Sequence, residues 1–485
     1  MKFYLFNINN PYPAYETFEE SSLGLGYIKS YLMKYSNVDN LNVEILKYNV
    51  LDILQKDQPD LIGISSVTQD YSNAIKFAYK IKEKGIKSII ILGGIHISNL
   101  PESLDSVFDV GVVREGEETI AELLEFISQY GLDKSRLKKI RGLVFYDENG
   151  NLTLTDRREL IKDLDRLPFP YRKETGKKTF IHMLTSRGCP FKCTYCSSTS
   201  FWGKQIRFFS PEYVVEEMIE LIIHHKVKHI SIWDDLFTVN TKRLSEIVQL
   251  IKKKEKYFNR ITFGVTTRGN RVNDDVCKLL KEMNVKRVAL GIESGSDHML
   301  KRLNRGMTVE QNRKAIELLQ KYDLNVHGGF IIGSPDETME DLKATYDFIL
   351  TSKLDSGGAG LATPYPNTEF WHYAHQRGLV NKNINFSKLP LITNFSNLKE
   401  DSDFILLSKH LSKKDIIDMG NKINQFFAVK NFTNLFNKKT FNPRNIFLVI
   451  THLPTFLPFI MGITKKLYQV YCKKIFKMKF KSPVS

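Results

Sequence analysis

The sequence predicts an α/β protein with an N-terminal doubly wound, flavodoxin-like domain, a partial (β/α)6 barrel and a mostly helical, basic C-terminal region. Residues 1–130 and 180–365 both alternate short apolar strands with amphipathic helices, as parallel sheets covered by helices do. After Asp418 the chain has twelve lysines and arginines and no acidic residue, so the net charge of +16 reflects a basic tail.

The first domain has five predicted strands and three predicted helices. The strands are KFYLFNI, NVEILKY, DLIGISS, SIIILGG and DVGVV, and the helices are SLGLGYIKSYLMKY, DYSNAIKFAYKIKEKG and EETIAELLEFISQYG. Ligands of doubly wound domains bind beyond the carboxyl ends of the strands. The residues expected at that edge are the turn 9–13, residues 65–68, the pair Gly93-Gly94 and residues 115–117.

A hairpin and a linker separate the two strand–helix regions. GLVFYDENGNLTLTD contains two alternating runs around a turn with Asn149-Gly150, which predicts a β-hairpin, and DLDRLPFPYR predicts an extended linker. The expected domain boundaries are 1–135 for the doubly wound domain, 136–178 for the hairpin and linker, 179–380 for the barrel and 381–485 for the C-terminal region.

Six strands are predicted in the barrel, with chemistry at their C-terminal ends. They are FIHMLTS, HISIWDD, ITFGVTT, RVALGIE, NVHGGFIIG and GGAGLATP, and helices such as PEYVVEEMIELIIHH and TVEQNRKAIELLQKY lie between them.

Three of the five cysteines, Cys189, Cys193 and Cys196, are spaced C-x3-C-x2-C in TSRGCPFKCTYCSS. Thiolates this close can each bind a different iron of a 4Fe–4S cluster, and three ligands leave one iron open for a substrate. The alternatives are three unrelated thiols or a zinc site, which needs a fourth ligand; His182 lies on the preceding strand. The isolated Cys277, expected to be buried, and Cys472 make no disulfide framework, so we expect a reducing, cytosolic setting.

This loop resembles the signature of the radical SAM superfamily, whose enzymes cleave S-adenosylmethionine (SAM) at a 4Fe–4S cluster. The resemblance continues at successive strand ends, where a zwitterionic ligand needs both an anion and a cation. It implies that the SAM contacts are Tyr195 before the last cysteine, Asp234 and Asp235 near the amino group, Arg268 at the carboxylate, Glu293 and Ser294 at the ribose and methionine groups, and Ile331 on the adenine. No catalytic residue is assigned beyond the cluster.

Residues 1–130 resemble the cobalamin-binding module that precedes the barrel in one large radical SAM subfamily. The matching runs include SLGLGYIKSYL, PDLIGISSVTQDYSNA, ILGGIH and REGEET. The cobalamin contacts that this implies are Ser65, Ser66, Gly93, Gly94, Glu115 and Gly116. The D-x-H-x-x-G motif that supplies a cobalt ligand in the methionine-synthase type is absent, because NINNPYPAYETF has no histidine. His96 follows the diglycine loop and is expected to be a hydrogen-bonding or surface residue.

The resemblance implies an enzyme that binds a 4Fe–4S cluster, SAM and cobalamin and methylates an unactivated carbon of a small-molecule or lipid-like substrate. An electron donor such as flavodoxin or ferredoxin is the implied partner. The alternatives are an oxidative cyclase, like the anaerobic magnesium-protoporphyrin ester cyclase, and a non-catalytic cobalamin or redox sensor. A methylthiotransferase is disfavoured because residues 1–150 contain no cysteine.

The tail contains NIFLVITHLPTFLPFIMGI, an apolar run interrupted by His452, Pro454 and Pro458 and followed by lysines. Three interpretations of this segment remain open: contact with an anionic membrane surface, a membrane span and a buried helix pair. Nucleic-acid binding is disfavoured, because the tail's aromatic residues are mixed with long apolar runs. The N-terminus lacks the apolar core and cleavage site of a signal peptide, so the expected location is the cytoplasm, with peripheral contact at the inner face of the membrane as one option.

Overall fold

A computed structural model describes residues 1–8, 22–172 and 180–435, except for the side chains of residues 432–435. The chain divides into two compact units, Met1–Asn424 and Gln425–Ser485. Of the second unit, only the end of one helix lies within the described residues. The predicted turn 9–13, Cys472 and the apolar segment of the tail lie outside the described residues.

The first unit begins with a seven-stranded sheet in the order β2-β1-β3-β4-β5-β6-β7. Its strands are β1 (Lys2–Asn7), β2 (Asn42–Ile45), β3 (Leu61–Ser65), β4 (Ile89–Gly93), β5 (Val110–Val112), β6 (Leu143–Tyr146) and β7 (Leu152–Leu154). Its helices are α1 (Leu23–Tyr35), α2 (Val50–Asp57), α3 (Tyr71–Glu83), α4 (Ile95–Asn99), α5 (Glu117–Tyr130) and α6 (Lys134–Leu137). The first five strands pair in parallel, and β6 and β7 are antiparallel additions.

Burial explains why the central strands are continuous apolar runs. Leu61, Ile62 and Ile64 of β3 are at most 1% exposed, as are Ile90 and Leu92 of β4, because helices cover both faces of a doubly wound parallel sheet. Because β1, β3, β4 and β5 run parallel to one another, their carboxyl ends lie at one edge of the sheet.

A second sheet has six parallel strands, in the order β15-β14-β13-β12-β11-β8. They are β8 (Phe180–Met183), β11 (His229–Ile232), β12 (Thr262–Thr267), β13 (Val285–Glu293), β14 (Asn325–Ile332) and β15 (Ser356–Leu361). A separate antiparallel pair, β9 (Ser186–Arg187) and β10 (Arg207–Phe208), flanks the cysteine loop.

Ten helices are described after β8. They are α7 (Ser197–Trp202), α8 (Pro211–His225), α9 (Thr241–Lys253), α10 (Glu255–Phe258), α11 (Asp274–Glu282), α12 (Asp297–Arg302), α13 (Val309–Lys321), α14 (Met339–Thr351), α15 (Glu369–Gln376) and α16 (Lys413–Leu435). Capping boxes at Thr308 and Thr338 fix where α13 and α14 begin. The start of α14 sets the length of the loop that follows β14, and the start of α13 sets the length of the loop after α12.

The predicted α/β fold class is confirmed, including the flavodoxin-like order of the first five strands and the six strands of the barrel. The predicted hairpin also forms, but it extends the first sheet, because β6 pairs with β5 through Gly111 and Val112. The first sheet therefore has seven strands, two more than the five that were predicted. Helix α2 was not predicted. Among the described residues no helix has the length and apolar character needed to cross a membrane.

Candidate functional site at the strand ends of both sheets

The three predicted cluster ligands lie on the loop between β9 and α7. Cys189, Cys193 and Cys196 are free and partly exposed. Gly188 has φ +95°, and a Cβ there would collide with the backbone oxygen of Gln205, so only glycine allows the chain to turn into the loop. At its other end Cys196 is the N-cap residue of α7. The loop is therefore held at both ends while its thiols remain accessible.

Two guanidinium groups lie beside the middle cysteine. Arg268 Nη1 is 3.4 Å and Arg305 Nη1 is 3.2 Å from Cys193 Sγ. By contrast, burial raises the pKa of the Cys189 thiol and raises that of Cys196 to about 12. Charged donors next to sulfur favour the anionic state of a thiolate or of a cluster sulfur. Partly exposed thiols on one loop, with positive charge supplied at the central sulfur, fit a 4Fe–4S cluster.

Zinc, the alternative metal, would need a fourth ligand beside the three cysteines, and the candidate is His182 on the preceding strand. His182 is buried and its ring centroid lies 3.5 Å from that of Trp233. Burial lowers the pKa of His182 to about 4.

Arg305 connects the cysteine loop to the end of β13. Its Nη1 donates to Tyr195 Oη at 3.1 Å, and its Nη2 donates to Gly291 O and lies 3.6 Å from Glu293 Oε1. Burial by itself would lower the pKa of Arg305, but Glu293, Tyr195 and the Cys193 thiol outweigh burial and keep that pKa above its ordinary value. Tyr195, Cys193 and Glu293, which the sequence analysis singled out separately, therefore share one cation.

Glu293 itself has an unusual backbone. It ends β13 with φ +69°, in the left-handed region that residues other than glycine rarely adopt. The pairing of β13 with β14 skips a residue between Gly291 and Glu293. Strain of this kind persists where the surroundings fix it, and it is concentrated at functional sites.

The two predicted aspartates have different surroundings. Asp234 is buried, and its carboxylate accepts four hydrogen bonds, from the backbone N–H and hydroxyl groups of Thr185 and Ser186. Asp235 is exposed and accepts a hydrogen bond of 2.6 Å from Ser198 Oγ. Asp234 therefore holds the start of the cysteine loop, while Asp235 has an accessible carboxylate beside its end.

The remaining predicted SAM contacts also include residues close to the cysteine loop and residues that bond within the protein. Arg268 is buried and lies over the Phe191 ring, with its guanidinium carbon 3.6 Å from the ring centroid. Ile331 is partly buried and packs against the hydrophobic core. Ser294 is buried and bonded to Thr345 Oγ1 and to the backbone N–H of Ser296, which fixes the loop after β13. The structure thus brings Tyr195, Arg268 and Glu293 close to the cysteines, and it gives Asp234 and Ser294 partners within the protein.

A cavity of about 230 Å³ lies at the carboxyl edge of the first sheet. Five of the six predicted cobalamin contacts line it: Ser65, Gly93, Gly94, Glu115 and Gly116. A Cβ on Gly93 would meet no protein atom within 4 Å, whereas one on Gly94, at φ +102°, would collide with the backbone oxygen of Ser66. The first glycine leaves open space and the second permits the turn, as a site for a large flat ligand requires.

The same cavity is lined from the barrel side by Leu184, Arg187, Phe201 and Trp202, which flank the cysteine loop. The sixth predicted contact, Ser66, is buried and donates its hydroxyl hydrogen to Val67 O. The structure therefore places the predicted cobalamin edge and the cysteine loop on opposite sides of one space.

Buried ion pairs join these two sides. Arg187 Nη1 is 2.6 Å from Glu115 Oε1, Arg187 Nη2 is 2.7 Å from Glu117 Oε1, and Arg207 Nη1 is 2.9 Å from Glu115 Oε2. Burial alone would lower the pKa of Arg187, but Glu117 and Glu115 reverse this and raise it above its ordinary value. Glu115 also accepts the backbone N–H of Ile161, so this predicted cofactor contact bonds mainly with protein groups.

His96 is a buried structural residue. Its ring stacks on Tyr71 at a centroid distance of 3.9 Å, and its nitrogens lie 3.3 Å from Thr68 Oγ1 and 3.0 Å from Ser103 Oγ. Burial lowers its pKa to about 3. The prediction that His96 makes hydrogen bonds is therefore confirmed. Cys277 is completely buried in α11, also as predicted.

Sequence reasoning missed Arg187, Arg207 and Arg305. Arg187 lies two residues before Cys189 in the quoted motif, which was a usable signal. Arg207 lies in the two-residue strand β10 and Arg305 in a loop, neither with a periodic pattern, and only the fold brings them to Glu115 and Cys193.

Two family models match the chain, in the order that the fold shows. The model described as B12 binding domain matches residues 17–124, and the model described as Radical SAM superfamily matches residues 183–349. The first range carries the diglycine edge, and the second contains the three cysteines and the ends of the barrel strands.

Two curated relatives match over most of their length. The uncharacterized methyltransferase PH0819 of Pyrococcus horikoshii is 33% identical over 390 residues, which are 78% of this chain and 83% of the relative. The anaerobic magnesium-protoporphyrin IX monomethyl ester cyclase of Rubrivivax gelatinosus is 24% identical over 422 residues, covering 83% of this chain and 70% of the relative.

A solved structure has the same fold. It is the radical S-adenosylmethionine methyltransferase TsrM from Kitasatospora setae, with cobalamin and a [4Fe-4S] cluster bound, and it superposes with a TM-score of 0.65 at 18% identity. The match covers 77% of this chain and 78% of TsrM. Given both family models and a 33% identical relative that matches over most of its length, the chain belongs to the radical SAM enzymes that carry an N-terminal B12-binding domain.

Proposed function

We propose that this enzyme is a cobalamin-dependent methyltransferase that adds a methyl group to an unactivated carbon of a small-molecule or lipid-like substrate. The observation that carries the proposal is the shared cavity, lined on one side by Gly93 and Gly94 and on the other by residues flanking the cysteine loop. In this proposal a methyl-carrying cofactor lies next to the centre that generates the radical. TsrM, which has this fold, is a methyltransferase and binds both cofactors.

In this proposal Cys189, Cys193 and Cys196 hold the cluster, and the cobalamin lies along the diglycine edge. When bound, the reduced cluster supplies the electron that cleaves SAM, and cobalamin supplies the methyl group, which a second SAM replaces. Asp235 is the proposed acceptor for the amino group of SAM, because its carboxylate remains exposed beside the loop. Asp234 supports it indirectly by fixing Thr185 and Ser186.

In this proposal the protein also supplies positively charged side chains to the SAM site. Arg268 is the proposed partner of the SAM carboxylate, and Arg305 orients Tyr195 and Glu293, of which Glu293 is the proposed acceptor for ribose hydroxyls. Ile331, on the neighbouring strand β14, is the proposed apolar contact for adenine. Substrate would enter between the two sheets, where the ion pairs of Arg187 keep the walls of the cavity together and limit the access of water.

The boundaries 135, 178 and 380 remain our proposed domain limits. The B12-binding match, 17–124, falls inside the first proposed domain, and the radical SAM match, 183–349, falls inside the barrel domain. Contact between the tail and an anionic membrane surface remains part of the proposal for a lipid-like substrate.

An oxidative cyclase is the second candidate, because the Rubrivivax relative carries that activity in its name and matches 83% of this chain. Both reactions begin with cleavage of SAM and differ in the fate of the substrate radical. Only methylation transfers a carbon from SAM to the product.

The deciding experiment uses SAM with a deuterated methyl group. Purified enzyme, reconstituted anaerobically with iron, sulfide and hydroxocobalamin, is incubated with a reductant and a metabolite extract from its host, and products are identified by mass spectrometry. Methylation predicts products heavier by one or more trideuteromethyl groups, together with 5′-deoxyadenosine. Turnover that forms 5′-deoxyadenosine and a new product without label would support the cyclase and refute the methyltransferase.

A further inference from the structure

A cluster of exposed cations surrounds the cysteine loop on the protein surface. It comprises Lys192, Lys204, Arg271, Lys301 and Arg302, which we call the loop patch. Lys192 lies between the first two cysteines, and Lys204 lies just beyond α7. Positive charge thus lies on the outer side of the same loop whose central sulfur faces Arg268 and Arg305.

Contacts between the loop and its neighbours show that the patch is continuous. Asn304 Nδ2 donates to Lys192 O at 2.7 Å, and Thr194 Oγ1 lies 3.5 Å from Arg302 O, so the end of α12 packs against the loop. The guanidinium carbon of Arg271 lies 5.5 Å from the centroid of the Phe191 ring. A side-chain hydrogen bond with Lys192, and then the positive charge of Lys192, lower the pKa of Lys204.

The positive charge of the patch is largely uncompensated. Within the described ranges, Arg302 pairs with Asp336, whereas Lys192, Lys204, Arg271 and Lys301 have no carboxylate partner within ion-pair distance. Like charges held next to one another destabilise a surface by mutual repulsion, and an anionic partner relieves this cost. The first 418 residues are close to neutral in total, so the patch is a local excess of positive charge rather than part of a uniformly basic chain.

We propose that the loop patch is the docking surface for an acidic one-electron donor protein of the flavodoxin kind. The inference rests on the proposed function, because the cleavage of SAM requires an electron from outside. Lys192 lies within the loop that holds the cluster ligands, so a donor docked on the patch would be close to the cluster. In each event the anionic flavin hydroquinone of the donor becomes the neutral semiquinone, and its electron splits SAM into methionine and a 5′-deoxyadenosyl radical.

The test compares charge reversal in the patch with charge reversal elsewhere. The double variant is Lys192→Glu with Lys204→Glu. The single variant Lys204→Glu leaves the segment between the cysteines unchanged. The control is Lys138→Glu with Lys139→Glu, two adjacent exposed lysines just after the first domain. The donor is flavodoxin kept reduced by NADPH and flavodoxin reductase, and titanium(III) citrate is the small-molecule reductant that needs no docking surface.

At low salt, the double patch variant is expected to lose about tenfold in the flavodoxin-driven rate of 5′-deoxyadenosine formation, the lower end of electrostatic steering. Its rate with titanium citrate should match that of wild type. A carbodiimide cross-linker that joins lysines to carboxylates should link flavodoxin to Lys192 or Lys204, and 0.5 M salt should abolish the link.

Equal losses with both reductants would overturn the docking role, because the lysines would then serve SAM cleavage itself. An unchanged flavodoxin rate, an equal loss in the Lys138 and Lys139 control, or cross-links confined to other surfaces would also overturn it. A wild-type enzyme that fails to cleave SAM with titanium citrate refutes the proposed function instead.

Discussion

Arg187 Nη1 lies 2.6 Å from Glu115 Oε1, and this buried pair joins the strand that leads into the cysteine loop to the edge of the first sheet. Arg187 is shared with Glu117, and Glu115 is shared with Arg207. The side chains of Arg187, Glu115 and Glu117 are at most 5% exposed. A buried network of this kind fixes geometry more than it adds stability, but breaking it leaves an uncompensated charge.

Replacing Arg187 with Gln is therefore expected to reduce the free energy of unfolding by about 3–5 kcal/mol, because Glu117 loses its partner in a buried site. It should also lower the amount of bound cobalamin, since Arg187 lines the cavity. Urea denaturation and the absorbance of bound cobalamin measure the two effects.

Arg136→Gln is the control, because Arg136 pairs with Asp133 on the surface and exposed pairs contribute little. If Arg187→Gln behaves like this control in both measurements, the network does not join the two sheets.

The cavity at Gly93 gives a second prediction. Gly93→Leu should fill open space without strain, because Gly93 has no positive φ and no protein atom lies within 4 Å of its expected Cβ. Cobalamin binding should fall at least tenfold while the melting temperature changes little. Gly93→Ala should produce a smaller loss of binding. Full cobalamin occupancy in Gly93→Leu would show that the cofactor binds elsewhere.

Much of this arrangement was predictable from the sequence, because strand–helix alternation and the C-x3-C-x2-C spacing are local patterns. The strands that end at Arg268 and Glu293 were identified from such patterns, and parallel strands bring their ends together without further information. The roles of Glu115 and Asp234 were not predictable. Both carboxylates bond with protein groups that are remote in the chain, Glu115 with Arg187 and Asp234 with Thr185, and no periodicity encodes such pairs.

Arg305 gives a third prediction, which concerns the redox properties of the cluster. Arg305→Gln removes a positive hydrogen-bond donor from Cys193 Sγ, and loss of positive charge disfavours the more negative, reduced cluster. The reduction potential should therefore become more negative, as measured by anaerobic titration followed by electron paramagnetic resonance.

Arg302→Gln, three residues earlier, is the matched control, because Arg302 is half-exposed and pairs with Asp336. Its reduction potential should remain that of wild type. An unchanged or more positive potential in Arg305→Gln would contradict the assigned electrostatic role.

His96 gives a prediction about pH. Its folded-state pKa of about 3 lies below the ordinary value of 6.5, so the unfolded chain binds a proton that the folded chain does not. Its contribution to stability is therefore fully present above pH 6.5 and is lost as the pH falls from 6.5 toward 3, by up to about 1.4 kcal/mol per pH unit.

Denaturation at pH 7.0, 6.0 and 5.0 should show this loss in wild type and a smaller loss in His96→Gln. The cobalamin spectrum of His96→Gln should remain that of wild type, because His96 bonds with Thr68 and Ser103. A changed spectrum would instead assign His96 to the cobalt.

One comparison of three proteins tests whether the cysteine loop holds a cluster that cleaves SAM. Wild type, Cys193→Ala and Cys277→Ala are reconstituted with iron and sulfide, reduced with titanium(III) citrate and assayed for 5′-deoxyadenosine. Cys277 is the matched control because it is a buried thiol in α11, far along the chain from the loop. We expect cleavage by wild type and Cys277→Ala and none by Cys193→Ala. Undiminished cleavage by Cys193→Ala would contradict this expectation.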